Sequence, residues 1–111
     1  MGDARDRTKP LRYVKPPAGM PATVRVVSQR WRVKYVSNLI TDRALYGQCI
    51  YASRLLLVDS TQALEVMKAT LLHEVLHACI DGRDCDSEER FVGCLEAPLL
   101  SFLRDNQRWW K

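Results

Sequence analysis

Residues 59–82, DSTQALEVMKATLLHEVLHACIDG, are where the apolar pattern of this chain changes period. Leu64, Met67, Leu71 and Val75 fall on one face of a helix, and Val66, Ala69, His73, His77 and Ile80 fall on another. Asp59, Ser60 and Thr61 are N-cap residues by type and Gly82 is a natural stop, which predicts about five turns of helix between them. A helix apolar on most sides is expected to lie buried in the middle of its domain.

On the N-terminal side the pattern alternates. TVRVVSQRWRVKYV, residues 23–36, sets Val24, Val26, Trp31, Val33 and Tyr35 against Arg25, Arg30, Arg32 and Lys34, which predicts two strands joined at Ser28-Gln29. SNLITDRALYG, residues 37–47, reads as a connector, and QCIYASRLLLVD, residues 48–59, as a second strand pair turning near Ala52-Ser53. Beyond the helix and an acidic loop, residues 87–106 predict a last helix with Phe91, Leu95, Leu99, Phe102 and Leu103 inward. Pro98 predicts a kink there or a break into two pieces. Residues 1–22, with Pro10, Pro16, Pro17 and Pro21, read as a flexible basic segment preceding a single domain over 23–111. The expected fold is α+β: a short antiparallel sheet of three to four strands packed on a long buried helix and a C-terminal helix.

A chain of 111 residues, 47% hydrophobic and 27% charged, has the composition of one soluble globular domain. Its apolar runs are too short to cross a bilayer, so no membrane partner is expected. MGDARDRTKP has no apolar core of a secretory signal, and Asp6 stands where a myristoylation motif wants Ser or Thr. Four cysteines without a CxxC pair are expected to be reduced thiols in a cytoplasm. The net charge of +4 hides an asymmetry. Residues 1–43 hold ten Lys/Arg against three Asp/Glu, and residues 44–111 hold seven against ten. The basic half, with Trp31 and Tyr35 interleaved, is a candidate contact for nucleic acid or an acidic partner. A solvated tail and polar strand faces account for the same charges without one.

His73 and His77 are the only histidines, four residues apart on the helix, so both imidazoles can aim at one point. Zinc takes such convergent nitrogens at about 2.0–2.1 Å. Glu74 lies about 100° of helical rotation past the first histidine, beside a metal but not on it, where a general base for water belongs. Two imidazoles on so apolar a helix need partners, and a metal satisfies both. A third ligand must be a carboxylate or thiolate, from among Asp81, Asp84, Cys85, Asp86, Glu88 and Glu89. The next helix can approach the metal from across the fold, which favours Glu88 or Glu89. Asp86 to Glu89 is also a capping-box spacing, which explains these acids without zinc.

TLLHEVLHA, an acidic loop and then SEERFVGCLEAPLLSFLRDNQ resemble the small HExxH metallopeptidase-like proteins of bacteriophage genomes, minimal relatives of the gluzincins and of the ImmA/IrrE and SprT-like groups. The resemblance covers residues 48 to about 107 and implies a zincin-like domain with Zn2+ on His73 and His77 and Glu74 as general base. It places the third ligand on a downstream glutamate, Glu89 with Glu88 as the alternative. It departs from the group at Gln107, where relatives often carry proline. The reaction implied is hydrolysis of a peptide bond by metal-activated water in the cytoplasm, that of the host cell if the chain is phage-encoded. Tyr35, Tyr46, Tyr51 and the arginines are the candidate oxyanion donors, and the substrate is a protein or peptide added as a strand to a sheet edge. A monomer or a homodimer would serve. The alternative is a nucleic-acid-associated protein with a structural or vestigial metal site.

Overall fold

Alternation builds the sheet. In the computed structural model, which describes residues 8–80 and 88–109 (the side chains of 88–93 and 96 excepted), β2 (Thr23–Val26) and β3 (Gln29–Val36) form an antiparallel hairpin. Its loop is Val27-Ser28, one residue earlier than the sequence suggests. Both loop residues have positive φ, 50° and 64°, as a type I′ turn requires. Neither is the Asn or Gly such a turn prefers, so the sequence marks it only loosely.

Three further strands complete a five-stranded sheet of order β1-β3-β5-β4, with β2 also on β3. They are β1 (Tyr13–Val14), β4 (Gly47–Ile50) and β5 (Leu55–Asp59). A single 3-10 turn, Tyr51–Ser53, joins β4 to β5. The sheet is mixed, not antiparallel as expected, because β3 and β5 run parallel, Arg32 beside Leu55 through Val36 beside Asp59. The cause is visible in LLLV. A strand inserted between two others and covered on both faces is apolar without alternation, and Leu56, Leu57 and Val58 are all fully buried. Part of the expected connector folds as α1 (Leu39–Arg43), which lies on the chain between β3 and β4.

The two sheet faces are covered unequally. Toward the inner face, Val24, Val26, Trp31, Val33, Tyr35, Leu56 and Val58 pack with Met67, Leu71, Val75 and Ala78 of α2 (Leu64–Cys79) and Phe102 of α3 (Glu88–Asp105). Each fully buried Leu or Val here contributes roughly 1.5–3 kcal/mol. On the outer face Val36 and Leu57 form a small satellite cluster with Leu39 of α1 and the half-buried Leu11. Arg25, Arg30, Arg32 and Lys34 remain exposed there.

α2 starts at Leu64 with Ala63 as its N-cap and no side-chain cap, so Asp59, Ser60 and Thr61 do not begin it. Asp59 instead ends β5, buried. One carboxylate oxygen accepts the Ile40 N–H of α1 at 2.7 Å, and the other accepts the Thr61 N–H at 2.8 Å and the Thr61 hydroxyl. Gly82 lies outside the described residues. α3 runs through Pro98 as one helix rather than two. Of its expected inward residues, Phe102 is fully buried and Leu95 and Leu103 are half-buried on the core. The side chain of Phe91 is outside the described set.

Residues 8–22 are tied to the domain through backbone carbonyls. Tyr35 Oη donates to Pro21 O at 2.6 Å, Asn38 Nδ2 to Pro10 O at 3.1 Å and Trp109 Nε1 to Gly19 O at 2.8 Å. Asn106 closes the other side, giving its Nδ2 to Arg25 O at 3.1 Å. Among the described cysteines Cys79 is buried and Cys49 and Cys94 are half-buried, and no helix among the described residues is long and apolar enough to cross a membrane.

A β-branched residue at positive φ is strained, since only Gly, Asn and Asp adopt that region readily. Replacing Val27→Asn together with Ser28→Gly is expected to stabilise the fold by about 1 kcal/mol or more, read as a higher urea midpoint at an unchanged slope.

Candidate metal centre

α2 meets the sheet along one side only. Met67, Leu71, Val75 and Ala78 are buried, whereas Val66, Ala69, His73 and His77 are exposed. The expectation of a helix enclosed in the middle of the domain is corrected on this point. Its second apolar face is not a second core contact; it borders a groove of 640 Å³ whose walls include Leu45, Tyr46, Gly47, Val66, Thr70 and His73.

His73 lines that groove, and His77 follows it one helical turn along α2. Their Nε2 atoms are 3.2 Å apart, and the rings lie 4.9 Å centre to centre at 69°. Two ligand nitrogens at about 2.0–2.1 Å from one ion, at a tetrahedral angle, are themselves about 3.3 Å apart. The pair is therefore spaced as two zinc ligands are. The same separation suits a hydrogen bond between one N–H and one bare nitrogen, which partners the two rings when no metal is bound.

Glu74 has the opposite environment. It is only 7% exposed, because β4 lies across it. A Cβ built on Gly47 would stand 3.1 Å from Glu74 Cγ, 2.7 Å from Thr70 Cγ2 and 2.9 Å from the Leu57 carbonyl oxygen. No side chain fits there, and the absence of one lets the strand settle onto the helix. Burial pushes the Glu74 carboxyl up from its ordinary 4.5, and the charges of His73 and His77 pull in the other direction. A carboxylate raised toward neutrality is a better proton acceptor for water at neutral pH than an exposed one.

Around this pair the tyrosines separate. Tyr35 is wholly buried in the core with its hydroxyl on Pro21, which removes it from the candidate oxyanion donors. Tyr51 directs its hydroxyl to the His77 carbonyl oxygen at 3.5 Å and sets its ring edge-on to Trp31. Tyr46, 66% exposed, stands on the groove wall. Tyr51 and Tyr46 thus flank β4 at its two ends. Gln62 fixes the groove floor, donating to Asp59 O at 2.9 Å while Thr70 Oγ1 donates to its Oε1 at 3.1 Å. Glu88 and Glu89 belong to the first turn of α3, but their side chains, like all of Asp81, Asp84, Cys85 and Asp86, lie outside the described residues. Among the described residues no three His, Cys, Asp or Glu converge on one point. Gly47, Thr70, Gln62 and the apolar groove are additions of the structure. Of these only Gly47 carried a signal, a glycine beside a strand pattern that marks close backbone approach.

Gly47→Ala is expected to destabilise the fold by about 1–3 kcal/mol, because the Leu57 carbonyl cannot swing aside as a side chain can; chemical denaturation measures it. For Glu74 the sign follows from its raised pKa. Below 4.5 the acid is protonated in both folded and unfolded chains. As pH rises past that value the unfolded chain ionises first, so stability is lost until the folded carboxyl ionises too. Metal-free Glu74→Gln is expected to show a higher Tm than wild type at pH 7, with the gap closing below about pH 4.

Compared with protein-family models, with curated proteins and with solved structures, the chain matches none of them, which leaves the residues and geometry of the site as the ground for its function.

Proposed function

We propose that the chain is a zinc-dependent metallopeptidase-like hydrolase on a minimal zincin-like domain of the HExxH, gluzincin-like kind. The observation that carries this reading is the 3.2 Å Nε2–Nε2 separation of two exposed, convergent histidines beside a buried glutamate. His73 and His77 would hold the ion, with Glu89 as third ligand and Glu88 as the alternative. A bound zinc would supply a water acidified to a pKa of about 7 and an electrophile for a carbonyl oxygen.

The chain's own groups do the rest. Glu74, its charge already disfavoured by burial, takes the proton of the attacking water and delivers it to the departing amine. Tyr46, on the groove wall, would donate to developing negative charge, and Tyr51 would do so by releasing the His77 carbonyl oxygen. β4 is an edge of the sheet. Its ladder pairs Tyr46 with Asp59 through the Asp59 N–H at 2.9 Å, so the alternation turns the Gly47 backbone outward, toward a strand that could be added. A peptide lying there would pass over Glu74 and set an apolar side chain in the groove between Leu45 and Val66.

The retention of a base argues for catalysis over a structural metal, because a structural zinc site is closed by four protein ligands and has no use for Glu74. The test is zinc per chain after purification without added metal. About one equivalent is expected in wild type, lost in His77→Ala and reduced in Glu89→Gln. Glu74→Gln is expected to keep the zinc and lose peptide hydrolysis by at least about 100-fold. A wild type that takes up no zinc at micromolar supply would sink the proposal.

A further inference from the structure

The five strands carry a single acid, Asp59, and it is buried. Four cations stand exposed on the outer face: Arg25, Arg30, Arg32 and Lys34. Arg25 and Arg30 are direct cross-strand partners, and Thr23 faces Arg32. Like charges set directly opposite one another destabilise a sheet, and among the described residues no carboxylate pairs with any of the four. Lys34 instead places its Nζ 5.2 Å from the centre of the Tyr13 ring, which is itself half exposed. Between β1 and β2, where both pair with β3, lies a groove of 340 Å³ bordered by Tyr13, Pro16, Thr23, Arg32 and Lys34. Its charged lining, Arg32 and Lys34, alternates with the core residues Val33 and Tyr35 and so belongs to the opposite face of the sheet from α2 and the histidines.

We propose that this open half of the outer sheet face binds a single strand of nucleic acid, its phosphates along Arg30, Arg32 and Lys34 and a base against Tyr13. Cations on alternate residues of a strand recur every ~6.8 Å, comparable with the spacing of consecutive phosphates along an extended polynucleotide. An aromatic ring at the border of a base-sized groove supplies the stacking that a purely electrostatic surface lacks. A flat anionic membrane would use the charge and leave the groove empty. The acidic second half of another copy would likewise use only the charge. A strand of nucleic acid uses both.

The test is fluorescence anisotropy of a labelled oligothymidylate of about 20 nucleotides with the full chain. With three to four phosphates neutralised, binding is expected to weaken roughly 20- to 50-fold between about 50 and 200 mM salt. Arg30→Gln with Arg32→Gln should lower affinity and flatten the logarithmic salt slope by about 1.4. Tyr13→Ala should cost about tenfold with the slope unchanged, as lost stacking requires. All these side chains are exposed, and an unchanged thermal melt confirms that the variants fold. His77→Ala should bind like wild type, because the histidines are on the other face.

No binding at about 50 mM salt overturns the proposal, as does a double variant that keeps the wild-type slope or a His77→Ala variant that loses the oligonucleotide. Tighter binding to phosphatidylserine vesicles than to the oligonucleotide would assign the face to a membrane. A wild-type dimer that the double variant dissolves, with no oligonucleotide bound by either, would assign it to a second copy.

Discussion

The approach of β4 to α2 at Gly47 sets the terms for the rest of the site. A hydrogen atom is all that separates the strand from Thr70, Glu74 and the backbone of Leu57. That proximity covers Glu74 and leaves His73 and His77, which lie together on one flank of it around the helix, in solvent. A helix presents side chains about every 100°, so a strand laid along one stripe buries that stripe and spares the next. The difference in environment between one glutamate and two histidines is thus produced by a single close contact, with no polar partner needed to enforce it.

The sheet then divides the molecule by function of its faces. The inner face is apolar and carries α2 and α3. The outer is closed at one end by α1 and Leu11 and open at the other. Asp59 sits where these arrangements meet. It ends the central parallel strand, accepts from the first turn of α1 and holds Thr61 at the exit toward α2. A buried carboxylate that satisfies amide groups from two flanking segments fixes their relative positions more firmly than apolar contact would, because each unmade hydrogen bond would leave a desolvated group.

Much of this is legible in the sequence because the signals are local. Alternation in residues 23–36 yields β2 and β3, and the change of period after Asp59 yields α2 and the face shared by His73 and His77. What escapes local reading depends on partners far along the chain. That LLLV lies between β3 and β4, parallel to one and antiparallel to the other, is a matter of pairing and not of residue type. Val66 and Ala69 look like core residues, yet they border a groove, since apolarity does not say which of two apolar faces meets another element. Asp59 has the composition of a helix cap and serves a different helix. Residues 8–22 are held by carbonyl oxygens, which every residue possesses and no sequence displays.

The contacts from Asn106 to Arg25 and from Trp109 to Gly19 join segments 81 and 90 residues apart. Phe102, wholly buried, completes the wall of the inner core between them. During synthesis the hairpin of β2 and β3 can form as soon as it emerges, but the apolar face it presents stays incompletely covered until residues 102–109 have been made. At about 5–20 residues per second that interval lasts several seconds. Folding therefore cannot be completed in step with synthesis: the Val- and Trp-lined face of the sheet waits for the last helix to close over it.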